Sequence, residues 1–317
     1  MVELMGWDFN AAFMRYGEKW RRHRRLYQQT LNKVAVQRTQ EPTQTLKVHE
    51  YLSRLLGTPN DFLVHFRNVT TSIIMATVYD NTMSQSKIDR FADVSLETVD
   101  RLSEAFFPGA FAVDSLPFLR YIPAWFPGAG FKRYAAECKA LTDEMQDVPL
   151  NYVKEKLAAG LQVSGMVATL LERRKDPNEL LRDESVIKGV AATIFAGGAD
   201  TSVSALSTFM YAMVVNVEAQ QKAQDEIDAV IGTNRLPDFS DRPNLPYVEA
   251  LFREVMRWHP VLPLGVSHAT SEDDVYNGYY IPKVIAATLA TFNIRKARDS
   301  KGNEIPVEGD YSDGLVR

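Results

Sequence analysis

An acid and a hydroxyl stand side by side at Asp200 and Thr201, just after the glycine pair Gly197-Gly198. They fall within residues 186–217, the least polar long stretch of the chain. Adjacent glycines weaken a helix by about 1 kcal/mol each relative to alanine, and they can kink it where another group inserts into its hydrogen-bond ladder. An acid and an alcohol at such a point could line a cavity and relay protons. The six residues 197–202 alone favour another interpretation, in which Asp200 caps a second helix after a Gly-Gly turn.

A second charged pair, Glu254 and Arg257, is three positions apart in the segment LPYVEALFREVMRWHP. Residues three apart on a helix face each other, so these side chains can form an ion pair. Most of their neighbours are apolar, and a buried pair would need further hydrogen bonds to offset several kcal/mol of desolvation. Taken alone, the spacing favours an ordinary surface pair.

Trp20 and Arg24 lie one helical turn apart in the basic segment WRRHRR, so they share one helix face. Arginine can hold a carboxylate through two parallel hydrogen bonds. His268 follows the proline-containing turn at residues 260–263. A solvated basic face and a surface histidine are the simpler interpretations. The five histidines have no metal-ligand spacing, so we predict no metal site.

Composition excludes several classes of protein. The 317 residues carry 36 basic and 40 acidic side chains, so the net charge of −4 does not favour nucleic-acid binding. The single cysteine, Cys138, rules out an intrachain disulfide framework and a cysteine-based zinc cluster. The sequence shows no signal peptide or membrane anchor.

Helix-period apolar patterns dominate the chain. Near the end, residues 275–281 (VYNGYYI) place an Asn-Gly pair between β-favouring residues, which is typical of a hairpin. A Gly- and Pro-rich stretch at 107–128 predicts a connection between helices and not a domain boundary. We therefore predict one mainly α domain over residues 1–317 with a small β component.

The order of these motifs resembles the cytochrome P-450 family, and its fungal members most closely. A Trp-x-x-x-Arg helix precedes the Gly-Gly-x-Asp-Thr-Ser segment, which is followed by AQDEIDAVIG and then by LPYVEALFREVMRWHPVLPLGVSH. Each motif is weak alone, but their order and spacing together are specific. The resemblance implies an incomplete cytochrome P-450 fold with haem as cofactor.

The resemblance also implies roles for individual residues. Asp200 and Thr201 resemble the family's proton relay, in an oxygen-activation segment whose glycines, Gly197 and Gly198, lie against the cofactor. The positions that resemble partners of the haem propionates are Trp20, Arg24 and His268.

Two further groups of residues take their roles from the resemblance. Glu254 and Arg257 resemble the family's buried structural ion pair behind the haem. The positions that line the family's substrate pocket are Phe195, Leu262, Leu264 and Val266. The resemblance further implies a small apolar substrate and a family-type reductase as electron donor. The family usually resides at the endoplasmic-reticulum membrane, whereas the missing anchor predicts a cytoplasmic or undetermined location here.

The cysteine that binds the iron has no counterpart in this sequence. The family's ligand lies in a loop resembling F-x-x-G-x-R-x-C-x-G, downstream of the Glu-Arg helix. Cys138 lies far upstream, with Tyr134, Ala136 and Ala140 where the loop needs Gly, Arg and Gly. We therefore predict that Cys138 is an ordinary helix residue.

The sequence also suggests missing segments. After Ile281-Pro282-Lys283, the residues VIAATLATFNIRKARDSKGNEIPVEGDYSDGLVR resemble the family's extreme C-terminus, beyond the cysteine loop. This predicts an internal deletion near residues 283–284. The opening MVELMGWDF resembles the stretch just before the Trp-x-x-x-Arg helix, which predicts truncation at the N-terminus.

Three functions remain open. The resemblance implies a monooxygenase that inserts one oxygen atom of O2 into an apolar organic substrate, and the missing thiolate predicts that this chain is inactive. A non-catalytic helical protein that binds an apolar ligand or a partner helix is the alternative. A haem catalyst with a different axial ligand is the least favoured.

Overall fold

The computed structural model describes residues 1–32, 40–80, 82–106, 109–173, 184–263, 265–283 and 286–288. Leu264 and Val284 lie outside these residues, so neither that pocket position nor the residue directly after the predicted junction is described. The helices of these ranges are α1 Glu18–Thr30, α2 Glu41–Gly57, α3 Phe62–Val78, α4 Gln85–Phe106, α5 Ala112–Ser115, α6 Gly130–Ala158, α7 Met166–Arg173, α8 Glu184–Val215, α9 Val217–Ile231 and α10 Pro246–Trp258.

The β structure of the described residues is confined to two short antiparallel pairs. Strand β1 (Ser267–Ala269) pairs with β4 (Ala286–Thr288), and β2 (Asp274–Tyr276) pairs with β3 (Tyr279–Ile281). The β2–β3 turn places Asn277 at φ 53° and Gly278 at φ 82°, the left-handed conformation that a tight hairpin turn requires. The predicted hairpin and the mainly α fold with a small β component are both confirmed.

Helix α8 runs without interruption through the glycine pair, from Glu184 to Val215. The interpretation of Asp200 as the cap of a second helix is therefore wrong. The glycines are kept helical by the long apolar sequence around them, whose burial outweighs their poor helix propensity. No helix among the described residues is both long and apolar enough to cross a membrane.

The chain folds into two compact units, Met1–Val203 and Ser204–Arg317. The first unit has a large apolar core, in which α8 from Val186 to Ala196 packs with α3, α4, α6 and α7. Its largest fully buried side chains include Trp7, Tyr79, Phe66 and Phe195. This core holds the part of α8 that leads directly into Gly197.

The second unit has a much smaller core among its described residues. Ala212 and Met213 of α8 pack with Val255 of α10, and Leu251 and Trp258 border them. The rings of Tyr211 and Trp258 stack with centroids 5.8 Å apart. Helices α9 and α10 are tied together where the Glu226 carboxylate accepts hydrogen bonds from the first backbone N–H groups of α10.

Candidate functional site

The glycine pair brings α8 close to α3. A Cβ atom added to Gly198 would lie only 2.8 Å from Cδ1 of Ile74, whereas one added to Gly197 would meet nothing within 4 Å. Gly198 therefore permits the close packing of two helices, and Gly197 faces open space. The two glycines have different structural roles despite their adjacency.

Thr201 and Asp200 follow these glycines on the same helix. The Thr201 hydroxyl donates a 2.7 Å hydrogen bond to the Gly197 carbonyl one turn earlier. Burial raises the pKa of Asp200, the nearby Asp100 carboxylate raises it further, and Arg67 opposes both. The acid is therefore protonated more readily than an exposed aspartate, which is the chemistry a proton relay requires.

No motif in the sequence indicated that Arg67 and Asp100 would act on Asp200. They belong to α3 and α4, far from Asp200 along the chain, and isolated charged residues on amphipathic helices are ordinary. Only the packing of the first unit shows that their charges act on Asp200.

Phe195 is fully buried in the core of the first unit, with its ring edge-on to Tyr79 at 6.4 Å between centroids. The Tyr79 hydroxyl is among the buried polar groups that have no hydrogen-bond partner within the described residues. Phe195 therefore anchors the glycine-containing segment of α8 in the core. Its assignment to the substrate pocket stays a prediction.

Trp20 and Arg24 meet on one face of α1, as their spacing predicts. The Arg24 guanidinium lies 5.7 Å from the centroid of the Trp20 ring, and the Tyr16 ring lies 5.3 Å from the same ring between centroids. Arg24 is exposed. The pair thus presents a cation next to an aromatic surface, an arrangement that can receive a carboxylate.

The remaining candidate residues belong to the second unit. Arg257 donates a 2.8 Å hydrogen bond from Nε to Glu254, but the Glu254 side chain is 45% exposed. His268 is exposed on β1, and its Nδ1 lies 2.7 Å from the Val266 carbonyl oxygen. Leu262 and Val266 are exposed as well.

Cys138 lies inside α6, as predicted, and is 1% exposed. Its thiol is part of the apolar core of the first unit. Burial raises the pKa of the Cys138 thiol, and interactions with Arg101 and Tyr134 offset this only in part. The protein environment therefore keeps the sulfur protonated and away from solvent. Among the described residues, no group of three His, Cys, Asp or Glu side chains could hold a metal ion.

Comparison with known proteins identifies the family. The profile of the family described as Cytochrome P-450 matches residues 4–294. The chain belongs to the cytochrome P-450 family. A cytochrome P-450 monooxygenase of Armillaria gallica is 40% identical over 283 residues, which are 89% of this chain and 55% of the relative. The chain thus spans about half the length of that curated relative.

Two further matches extend this result. A cytochrome P-450 monooxygenase of Ampulloclitocybe clavipes is 37% identical over 379 positions, covering 99% of this chain and 70% of the relative. A solved zebrafish cytochrome P-450 structure has a TM-score of 0.69 at 20% identity, covering 90% of this chain and 63% of the other. The latter supports the mainly α P-450 fold.

Haem is the cofactor of this family, and the residues present here do not fit its thiolate ligation. In the family, a cysteine thiolate holds the iron and donates electron density to it. The only sulfhydryl of this chain is enclosed in a helix core and is stabilised as a neutral thiol. Arg24 and Trp20 could pair with a propionate, but they supply no ligand for the iron.

Proposed function

We propose that this chain carries part of a haem-dependent monooxygenase whose complete relatives oxidise a small apolar substrate, and that by itself it is catalytically inactive. The candidate residues of the proton relay, Asp200 and Thr201, are present on α8. The thiolate that would complete the catalyst is not supplied by this chain.

The buried position of Cys138 is the observation that carries this proposal. To reach a metal ion, its sulfur would have to leave a core in which the residue is 1% exposed. Burial raises the thiol pKa, so forming the thiolate there is unfavourable as well. Both costs oppose ligation by this residue.

An internal gap would account for the missing ligand loop. The alignment with the Ampulloclitocybe relative runs over 379 positions, which is 62 more than the 317 residues of this chain. This excess counts positions of the relative that have no counterpart in this chain, and it supports the proposed internal deletion. The change of sequence character after Lys283 favours a junction near residues 283–284. Sequencing the gene between the codons for Lys283 and Val284 tests this directly, because a skipped in-frame segment should encode the cysteine loop.

A spectroscopic experiment tests inactivity. The purified chain is mixed with haem, reduced and exposed to carbon monoxide, and the difference spectrum is recorded. We expect no thiolate-type Soret band, because no protein sulfur reaches the iron. The same titration with Cys138→Ser should give the same spectrum as the unmodified chain. A thiolate-type band that disappears in Cys138→Ser would refute the proposal.

Substrate and electron donor follow from the family alone. We infer a small apolar organic substrate and a family-type reductase for the complete enzyme, with no nucleic-acid partner. Phe195, Leu262 and Val266 remain candidates for the pocket of that enzyme. Glu254 and Arg257 remain its candidate structural pair, since they are hydrogen-bonded in this chain.

A second function is favoured by one observation. Large apolar side chains remain exposed on α8 and α10, among them Val214 and Phe252. Such surfaces commonly mark binding sites for other chains or apolar ligands. A non-catalytic binding protein is therefore the alternative, and cooperative melting of a haem-free chain would favour it.

A further inference from the structure

A cavity of about 450 Å³ lies at the start of α8, within the first unit. The N-terminal segment lines it with Asp8 and Phe9, and its other lining residues belong to α1, α6 and α8. Small-molecule sites commonly have volumes of roughly 300–1,000 Å³, so this space, the α1–α8 cavity, is large enough for a small ligand. Trp20 and Arg24 do not line it, so it is separate from the predicted propionate site.

The buried residues that line the α1–α8 cavity offer both apolar and polar contacts. Phe9 and Val186 supply the apolar part, and His23 and Gln146 are 2% and 5% exposed. The Gln146 amide donates a 3.3 Å hydrogen bond to the Thr142 carbonyl oxygen, and within the described residues its own oxygen accepts none. A side-chain amide has two N–H donors and an acceptor oxygen, so Gln146 retains groups that can bind a ligand in the cavity.

Charged side chains line the exposed part of the cavity. The Arg22 Nε donates a 3.3 Å hydrogen bond to Glu18, whereas the two terminal nitrogens of Arg22 donate none among the residues that the structure describes. The Lys19 ammonium lies 3.4 Å from the Asp8 carboxylate, which is long for a hydrogen bond between charged groups. Because a guanidinium can form two parallel hydrogen bonds with one carboxylate or phosphate, Arg22 is suited to hold an anion.

The balance of charge favours an anion over a cation. The cavity is lined by three cationic side chains and two carboxylates. Glu18 also lies 3.5 Å from Arg21, and the third lining cation, Lys188, pairs with Asp147 at 2.6 Å. With these two outside partners included, four cations accompany three carboxylates, an excess of one positive charge. Ser185 lies in the first turn of α8, whose partial positive charge adds to this excess.

We propose that the α1–α8 cavity binds a small organic anion whose phosphate or carboxylate group pairs with Arg22. The organic part of the ligand contacts Phe9 and Val186, and the Gln146 amide hydrogen-bonds a polar substituent. Neither haem nor a thiolate takes part, so this site goes beyond the proposed function and does not depend on it.

Calorimetric titration of the full chain without haem tests the site. The probes are phenyl phosphate and benzoate, which carry different anionic groups on an apolar ring, and phenol is the neutral control. We expect one-to-one binding of at least one of the two anions with a dissociation constant below about 1 mM. Phenol should bind at least about tenfold more weakly, because it cannot accept charge-assisted hydrogen bonds. The anion that binds more tightly identifies phosphate or carboxylate as the preferred group.

Matched substitutions locate the bound anion. Arg22→Gln removes the guanidinium from the cavity and should weaken binding at least about fivefold, since a hydrogen bond to a charged group is lost. Arg25→Gln makes the same change at an arginine of α1 that does not line the cavity, and it should leave the dissociation constant nearly unchanged. Arg24→Gln makes it at the predicted propionate site. All three arginines are exposed, so the variants should keep the helix content of the unmodified chain by circular dichroism.

Three outcomes would overturn the inference. The first is no saturable binding of either anion, and the second is binding of phenol as tight as that of the anions. The third is weakening by Arg24→Gln or Arg25→Gln that equals the effect of Arg22→Gln, because the anion would then be held by the basic surface of α1 and not by the cavity. None of these outcomes bears on the carbon monoxide spectrum, and a thiolate-type spectrum of the chain alone would refute the inactivity proposal without affecting this titration.

Discussion

Among the residues that the structure describes, the two units of this chain bury the apolar side chains of their helices to very different extents. In the first unit, Phe195 is fully buried among side chains from several helices, whereas in the second unit Phe252 is 53% exposed. Helix α8 contributes to both units, so helix composition does not explain the contrast. Among the described residues, the second unit offers α8 and α10 fewer buried packing partners than the first unit offers α8, and the predicted deletion junction falls within the second unit.

The largest expected effect compares the two phenylalanines directly. Phe195→Ala removes a fully buried ring and leaves a cavity, so we expect it to destabilise the chain by about 3–5 kcal/mol. Phe252→Ala removes an exposed ring and should change the stability by less than about 0.5 kcal/mol. Urea denaturation followed by circular dichroism measures both. Similar losses for the two variants would mean that Phe252 is covered in solution and would remove the contrast between the units.

Removing an ion pair should likewise cost more stability in the first unit than in the second. The Asp80 carboxylate is fully buried and receives hydrogen bonds of 2.6 Å from Lys156 and 2.8 Å from Thr82. Burial raises its pKa, but these hydrogen bonds together lower it by more, so the pKa lies below its ordinary value. Asp80→Asn should therefore cost about 2 kcal/mol at neutral pH.

The matching substitution in the second unit is Glu254→Gln. It should lower the free energy of unfolding by less than about 1 kcal/mol, because the Glu254 carboxylate is partly exposed.

The pH dependence of the Asp80 effect has a definite sign. A lowered carboxyl pKa stabilises the folded chain above the ordinary aspartate pKa, and this contribution is lost as the pH falls through the folded-state pKa. The difference between the unmodified chain and Asp80→Asn should therefore shrink in acid. A constant difference from neutral to acidic pH, measured by urea denaturation, would contradict this account.

The glycine pair offers a smaller comparison within one helix. Gly197→Ala adds a methyl group in open space and should stabilise α8 by up to about 1 kcal/mol through helix propensity. Gly198→Ala gains the same helix propensity, but its added Cβ would lie only 2.8 Å from Cδ1 of Ile74. Its net effect on stability should therefore be a smaller stabilisation or a destabilisation. Thermal melting of both variants measures the difference. Combining Gly198→Ala with Ile74→Val should recover part of the loss, and a lack of recovery would show that the close approach to Ile74 is not limiting.

Sequence reasoning predicted what depends on local pattern and motif order. The helices, the Asn277-Gly278 hairpin and the helical setting of Cys138 follow from periodicity and turn chemistry. The interpretation of Asp200 as a helix cap failed because six residues carry no information about the apolar sequence that keeps α8 continuous. The influence of Asp100 on Asp200 was beyond prediction, since it arises only when α4 packs near α8.

The smallest effect concerns Asp200, the predicted proton-relay acid of the first unit. Burial and Asp100 raise the Asp200 pKa, and Arg67 opposes them. A raised carboxyl pKa destabilises the folded chain progressively as the pH rises through the ordinary aspartate pKa towards the folded-state value. Asp200→Asn should therefore stabilise the chain slightly at neutral pH, by less than about 1 kcal/mol because partial exposure screens the charge, and the gain should vanish in acid.

Melting temperatures across this pH range test the sign, with Asp8→Asn, at an exposed aspartate of the same unit, as the control. If Asp200→Asn instead destabilises the chain at neutral pH, then attraction to Arg67 outweighs burial and repulsion from Asp100. The acid would then be held ionised, and the first unit would lack the readily protonated group that a proton relay needs.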